Sequence, residues 1–442
     1  MTNPQCERNL NSHVAAGDDF GLPDSDNRDR EKGDFLGAAE PVRALKGKRA
    51  VAIVYSNYPA DPRPRRAAEA LANEEMALEV ICLKETDDQA AHETFNGVEI
   101  TRIPLKRRRG GKFSYILQYG SFILLAGGIL AARTFKRRYH LVHVHNMPDI
   151  LVFSALIPKF FGAKVILDLH DPMPELMMTI FGLAEESYPV RLLKIFEAWS
   201  IRFADAVLTT NEAFRKLFLS RGCPANKISV VMNSPDEGIF RYRESVGQAD
   251  ASRDNTKPFV IMYHGSLVER HGLDLAVAAL KKVREKVPGA ELRIYGRSTP
   301  FLEDVMGSVQ KSDLTEAVRY LGPMKLEQIP GAISECDIGV IPNRRSAFTE
   351  LNMPTRIFEY LSQAKAVIAP RTAGILDYFG PEELVLFDLG SVDDLAVKME
   401  YAFAHPEVMA KMVERGQKVY RAHAWRGERP HLINLVSRLL SL

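Results

Sequence analysis

The stretch Thr349 to Pro370, TELNMPTRIFEYLSQAKAVIAP, carries the most specific chemistry in the sequence. Asn352 and Pro354 mark a loop, Thr355 and Arg356 open a helix, and Glu359 follows one turn later. The free N–H groups and positive dipole end of a helix start suit an anion such as a diphosphate. A carboxylate one turn on can accept hydrogen bonds from sugar hydroxyls. An ordinary αβ unit with Glu359 on a solvated helix face would show the same pattern. A second loop, Gly265-Ser266 to His271-Gly272, follows a strand that ends in glycine. Upstream, Asp61, Arg63, Arg65 and Arg66 collect at the mouth of a helix, where they would edge a cleft outside the strand ends or form a solvated helix start. His143 and His145 share one face of the strand LVHVH, because side chains alternate with period two. Two such histidines invite a zinc reading. Only Asp149 lies at chelating spacing, so no metal is expected and His145 is assigned to the cleft edge as a neutral imidazole.

The elements that hold these residues are alternating strands and helices. Apolar runs predict strands at Arg49 to Tyr55, Val98 to Pro104, Leu141 to His145, Lys164 to His170, Asp205 to Thr210 and Ser229 to Asn233. A second series covers Phe259 to Gly265, Glu291 to Gly296, Val318 to Gly322 and Cys336 to Pro342, with a helix between the first two. Strands separated by helical crossovers mean α/β domains with parallel sheets. No G-x-G-x-x-G follows the first strand, which argues against a nicotinamide or flavin enzyme.

With 442 residues, 46% of them hydrophobic and 26% charged, the chain is long enough for two domains. A net charge of +2 gives no case for a nucleic-acid binder. The four cysteines, Cys6, Cys82, Cys223 and Cys336, show no C-x-x-C pair, so neither structural zinc nor a disulfide framework is expected, and a reducing cytosol is the simpler setting. Residues 1–48 are polar and poor in aliphatic residues, which predicts a disordered tail. They lack the features of a signal peptide. The organisation expected is a first domain over 49–240, a polar linker over 241–258, a second domain over 259–405, and helices over 406–442.

In order along the chain, DPRPRRAAEAL, LVHVHNMPDIL, ILDLHDPMPEL, HGSLVERHGLDLAVAAL, LRIYGRS, VRYLGPM, CDIGVIP and PTRIFEYLSQAKAVIAP resemble glycosyltransferase family 4. These are retaining, nucleotide-sugar-dependent enzymes of the GT-B fold, in which two Rossmann-like parallel-sheet domains face each other across a cleft. The resemblance covers nearly everything after residue 48. It implies no cofactor and no metal, a donor bound through Gly265, Ser266, His271, Asn352, Pro354, Thr355, Arg356 and Glu359, and an acceptor faced by Asp61, Arg63, Arg66 and His145. It places His170 beside the donor's sugar and diphosphate, where a hydrogen-bond donor could stabilise charge on the leaving phosphate. It also implies that the last helices cross back to brace the first domain. Many relatives carry Arg and Lys in the donor loop where this chain has Ser266 and His271; Arg270 can supply the charge, since guanidinium geometry suits a diphosphate. The first Glu of the family's E-x7-E pair falls at Leu351, with Glu350 one residue out of register, and Pro64 stands where many relatives have Val. The donor sugar is therefore left unassigned. A nucleotide-sugar epimerase, which would need carboxylates beyond Asp168, Asp171 and Glu175, and a non-catalytic nucleotide-sugar-binding relative are the alternatives.

Between KRRRGGK and RTFKRR lies a charge-free stretch, Phe113 to Ala132. It is long enough to span a bilayer. Its Gln118, two Ser, two Tyr and three Gly, and its position between two strands, instead predict a crossover helix partly buried in the first domain. Its basic flanks, Lys106, Arg107, Arg108, Arg109 and Lys112 on one side and Arg133, Lys136, Arg137 and Arg138 on the other, would lean on anionic headgroups. The expectation is peripheral attachment to the cytosolic face of a membrane, with a glycan or lipid-linked acceptor.

Overall fold

Two sheets with β-branched and aliphatic interiors organise the chain. The computed structural model describes residues 45–105, 112–245 and 257–441, all within one compact unit, Val42–Leu442. The first sheet contains β1 (Arg49–Val54), β2 (Ala77–Leu83), β3 (His92–Phe95), β4 (Val98–Ile103), β5 (Leu141–His145), β6 (Lys164–Leu169), β7 (Ala206–Thr209) and β8 (Ile228–Val230). Its order is β3-β4-β2-β1-β5-β6-β7-β8. The second contains β9 (Phe259–His264), β10 (Ala290–Tyr295), β11 (Val318–Tyr320), β12 (Ile338–Val340), β13 (Ala366–Arg371) and β14 (Val385–Asp388), in the order β11-β10-β9-β12-β13-β14. All pairings are parallel except β3 with β4. That hairpin turns on Asn96 and Gly97, both at positive φ, the two-residue turn whose twist matches the flanking strands. Among the parallel strands of each sheet the order reverses once, between β1 and β5 and between β9 and β12. Ligands of open α/β sheets bind outside the strand ends at such switch points.

Each face of the first sheet is covered. Val51, Ile53, Val142, Val144 and Leu167 meet Phe122, Ala126 and Leu130 of helix Lys112–Thr134 on one face. On the other, Ala50, Ala52, Leu78 and Ile166 meet Ala67, Ala68 and Leu71 of helix Pro62–Ala72, together with Leu432, Ile433, Leu435 and Val436 of helix Trp425–Ser441. Of the two final helices only this last one lies on the first sheet. Helix Pro406–Ala422 puts Met409, Val413 and Tyr420 into the cores of the second. Leu45 is buried against the first sheet and Lys48 Nζ donates to the carbonyl of Leu440 at 2.8 Å, so packing begins before residue 49. Of the predicted linker, 241–245 are bound to the second domain, through Arg243 N–H to the Ser362 carbonyl and Gln363 Nε2 to the Arg241 carbonyl; residues 246–256 lie outside the described residues. The predicted tail over 1–44, and with it Cys6, also lies outside them, whereas Cys82, Cys223 and Cys336 are buried free thiols.

The charge-free stretch forms the expected crossover helix, and no helix among the described residues is long and apolar enough to cross a membrane. One of its basic flanks, residues 106–111, lies outside the described residues. On the other flank Arg133 is not free, because it pairs with Glu79 and donates to Thr101 Oγ1 at 3.1 Å. Arg137 lies 3.5 Å from Glu99.

Candidate active site

The strand ends of the two sheets bring the sequence candidates into two groups that meet. In the second domain, β9 ends at His264 and runs through Gly265 and Ser266 into helix Leu273–Val283. Gly272 caps that helix at φ 65°, and a Cβ there would run into the carbonyl oxygen of Pro342 after β12, so only glycine lets the two loops close up. The Ser266 carbonyl is held from both sides, by Tyr263 Oη at 2.7 Å and His271 Nδ1 at 2.8 Å. Burial and the neighbouring Arg356 push His271 down to about 3, so it is neutral and shapes the loop rather than supplying a cation. Arg356 lies across the cleft side of Gly265: it donates to the His264 carbonyl at 2.8 Å and stacks on the Tyr263 ring at 4.7 Å.

Helix Thr355–Ser362 starts after Pro354 with no side-chain cap, leaving N–H groups of its first turn open. Asn352, just before it, has a buried Oδ1 without a hydrogen-bond partner. Thr355 is turned elsewhere, its Oγ1 lying 3.3 Å from the Asn233 carbonyl of the first domain. Glu359 Oε2 lies 3.3 Å from His264 Nε2. Burial raises Glu359 to about 7 against the pull of Arg356 and Arg66; burial and Arg356 lower His264 to about 3. Leu351, at the position of the missing carboxylate, instead packs with Phe348 into the apolar core of the first domain.

In the first domain the structure corrects the acceptor-side assignments. Arg63 is 6% exposed and forms a two-pronged pair with Asp168, Nη2 to Oδ1 at 2.6 Å and Nε to Oδ2 at 3.1 Å, while Nη1 donates to the Val231 carbonyl at 2.7 Å. Arg66 is also buried, donating to the Ser234 carbonyl and, at 2.7 Å, to Asn233 Oδ1, with Trp425 stacked 5.5 Å away. Both guanidinium groups are bound to the chain that leaves β8 rather than free for an acceptor, although the charge of Arg66 still reaches Glu359 of the second domain. Asp61 accepts from Ser56 Oγ at 2.8 Å.

His145 is not at the cleft edge either: it is 0% exposed. Its Nδ1 lies 3.0 Å from His170 Nε2 and 3.3 Å from Asp168 Oδ2, and its ring stacks on His143 at 4.2 Å. Burial and His143 hold His145 well below the ordinary histidine range, so it is neutral. Burial by itself would raise Asp168, but Arg63, His170, His143 and His145 overcome it and keep the carboxylate ionised. The tautomer of His145 follows. Nε2 of His145 is buried with no partner, and a proton there would be an orphaned donor, costlier than an orphaned lone pair. With its proton on Nδ1, His145 faces two acceptors, Asp168 Oδ2 at 3.3 Å and His170 Nε2 at 3.0 Å. His143, His145 and Asp168 offer three ligand atoms within 4.8 Å of one another, yet the Arg63 guanidinium already occupies the cation position on Asp168.

Asn146, which sequence reasoning passed over, and Asp171 complete the site. Asn146 binds the Asp171 carbonyl at 2.8 Å and accepts the His170 N–H at 2.8 Å, fixing the turn that carries both. Asp171 is raised by burial but pulled down by His170 and by Arg270 from the opposite domain; burial in turn lowers Arg270, with Asp171 opposing. Arg270 Nε is buried and unpartnered. A polar residue ending an apolar strand run was the available signal for Asn146, as it was for His264.

Comparison with known proteins decides the family. The glycosyl transferase 4-like domain matches residues 60–234, and the glycosyl transferases group 1 domain matches residues 248–419. This chain belongs to the GT-B glycosyltransferases. The match of both halves is consistent with family 4. The enzyme is 25% identical over 162 residues to a glycogen synthase of Mycobacterium tuberculosis, a match spanning 36% of each chain. It thus spans about a third of that relative's length. Among solved structures, sucrose-phosphate synthase of Thermosynechococcus elongatus is similar with a TM-score of 0.71 at 17% identity, over 89% of this chain and 99% of that one. The Anabaena protein HepE in complex with UDP-glucose is similar with a TM-score of 0.64 at 14% identity, over 88% and 99%. In the glycosyltransferase, then, the two switch points described above face each other, with His170 and Asp171 on one side and Arg270, Arg356 and Glu359 on the other.

Proposed function

We propose that this glycosyltransferase moves a sugar from a nucleotide-sugar donor to a glycan or lipid-linked acceptor with retention of anomeric configuration, at the cytosolic face of a membrane. The observation that carries the reading is the uncapped start of helix Thr355–Ser362 with Arg356 and Glu359 beside the His264 strand end, with Asp171 and Arg270 each feeling the other's charge from the two domains. Arg270 and the helix N–H groups hold the diphosphate, Arg356 adds charge beside it, and Glu359 accepts from the ribose hydroxyls. His170 donates to the sugar or to the bridging oxygen as the C1–O bond breaks. The acceptor hydroxyl attacks C1 from the face the diphosphate leaves, and its proton passes to that diphosphate. No metal is required, because the arginines supply the positive charge.

Neither alternative finds its residues. Asp168 is held by Arg63 and Glu175 by Arg221, which leaves Asp171 alone of the three carboxylates named for an epimerase and speaks against that reading. A non-catalytic binder is motivated by Ser266, His271 and Leu351; Arg270 in the loop and Arg356 on helix Thr355–Ser362 supply the charge that Ser266 and His271 lack. Because one structural relative is described with UDP-glucose, uridine nucleotide sugars head the donor panel. The test is turnover with UDP- and GDP-sugars: transfer or donor hydrolysis by the wild type, a loss of roughly 100-fold or more in Arg270→Ala and His170→Ala, and no isolable glycosyl-enzyme adduct. Wild-type rates in both variants, or epimer formation, would overturn the assignment.

A further inference from the structure

The outer surface of the first domain is apolar on a scale the cleft does not explain. Among the described residues, most of the large apolar side chains that are exposed fall between Leu117 and Trp199. They come from helices stacked side by side over one face of the first sheet. Leu124 of the crossover helix is 78% exposed, Phe160 at the end of helix Leu156–Phe160 is 84% exposed, and Tyr188 and Trp199 of helix Tyr188–Phe203 are 77% and 58% exposed. Phe161 and Phe135 pack edge to face at 5.4 Å and tie the crossover helix to its neighbour at the surface. Large apolar side chains exposed in such number on one set of neighbouring helices mark an interaction surface.

The charge around this surface is basic along the crossover helix and its flank, while Glu185 and Glu186 are exposed in the turn before Tyr188. Between Glu99 and Asp149 the sequence contains no acidic residue. Lys136, Arg138, Arg191 and Arg202 are exposed and have no carboxylate partner among the described residues. Beside Trp199 opens a cavity of about 590 Å³ whose charged lining is Lys194, Arg202, Arg221 and Lys227 together with Glu197. Lys194 and Arg221 have carboxylate partners of their own, whereas Lys227 donates only to the Arg202 carbonyl, at 3.1 Å. Aromatic residues at the edge of an apolar face, with unpaired cations outside them, match the layering of a bilayer: acyl chains, then interface, then anionic headgroups. Residues 1–44 are too polar to supply an apolar counter-surface.

We propose that this face inserts into an anionic phospholipid membrane through Leu124, Phe160 and Trp199, with headgroup phosphates taken up around Arg202 and Lys227. This deepens the lipid-side reading of the acceptor given above but does not depend on catalysis. It also changes the mode of attachment. Apolar insertion dominates, and the basic flanks only steer the approach, so bound protein withstands a salt wash that strips a purely electrostatic adduct.

The test floats the full chain with vesicles of phosphatidylcholine alone or with phosphatidylglycerol. Expected are partition onto the anionic vesicles that survives a high-salt wash, a blue shift of tryptophan emission that is lost in Trp199→Phe, and a drop in partition of roughly tenfold or more in Leu124→Ser/Phe160→Ser. Calorimetry of UDP binding on the same preparations checks the donor site separately, so failure at the membrane and failure of the transferase reading give different results. Absence of partition, complete release by salt, or unchanged partition of the double variant overturns the proposal. Sedimentation showing a dimer that the double variant dissociates would overturn it too, by assigning the face to a second copy.

Discussion

At the scale of single residues, the donor side turns on the proton of Glu359. Burial raises this carboxyl to about 7, and the adjacent His264 is held neutral. Above that pH Glu359 is a carboxylate able to accept charge-assisted hydrogen bonds from ribose hydroxyls; below it the proton removes part of that capacity. A diphosphate esterified at both ends does not titrate in this range, so UDP-glucose affinity should tighten as pH rises from 6 to 8. Glu359→Gln should bind roughly tenfold more weakly at pH 8 and show no such step. Calorimetric titration at several pH values checks both points. A pH-independent wild type, or an unaltered variant, would remove Glu359 from the donor site. Glu359 was legible because its helix start and spacing are local, whereas His264 was not singled out: a histidine ending an apolar strand looks like any strand terminus until the facing helix is known. On the opposite wall, His145 acts through His170. Replacing His145 with Phe removes the ring nitrogen that lies 3.0 Å from His170 Nε2, and turnover should fall by about 100-fold with little change in UDP affinity. A matching fall in affinity would instead mark a structural role.

Individual elements explain why the basic cluster after β1 misled. Asp-Pro-Arg-x-Arg-Arg at a helix start reads as an exposed cationic edge, and Pro62 and Pro64 do open the helix. Nothing local reveals that Arg63 finds Asp168, 105 positions away, or that Arg66 reaches Asn233 and Ser234. Buried guanidinium pairs of this kind depend on tertiary partners. Spacing was informative wherever the partner is the next strand: the ends of β1, β5, β6 and β9 were placed within a residue or so, and even the unpredicted hairpin of β3 and β4 has its signal in Asn96-Gly97. The Arg63 correction has an energetic consequence. Arg63→Met leaves Asp168 buried without its main counter-charge, which costs about 3–5 kcal/mol, whereas loss of an acceptor contact would leave stability alone. Urea unfolding of this variant therefore distinguishes the two roles. An unshifted midpoint would return Arg63 to the acceptor side.

For the whole molecule the decisive feature is how the chain crosses between domains. It leaves the first domain just after β8 and returns through Ala424 into helix Trp425–Ser441, and Glu428 fastens both crossings. Its carboxylate accepts from the Met232 N–H at 2.9 Å and lies 3.0 Å from His423 Nδ1 and 3.7 Å from His431. Burial alone would raise Glu428, but His423, His431 and the Met232 N–H bring it down to about 2. The sign follows from linkage. A carboxyl whose folded value lies below its unfolded value of about 4.3 stabilises the fold fully above that pH and loses its contribution as pH falls toward 2. His431 is raised by the same partner, so its share is present below its ordinary value and is lost as pH climbs through the raised one. Glu428→Gln should therefore destabilise the protein by about 2 kcal/mol near pH 5–6, and the gap to wild type should narrow below about pH 4 and close toward pH 2. Because the lost contacts join the two crossings, the variant should also lose the docking of helix Trp425–Ser441 first. Proteolysis should then cut near Ala424 before the second domain unfolds. Melts from pH 3 to 7, followed by mass analysis of the first fragments, test this account; a constant gap across that range, or first cleavage elsewhere, would mean that Glu428 does not fasten the crossing.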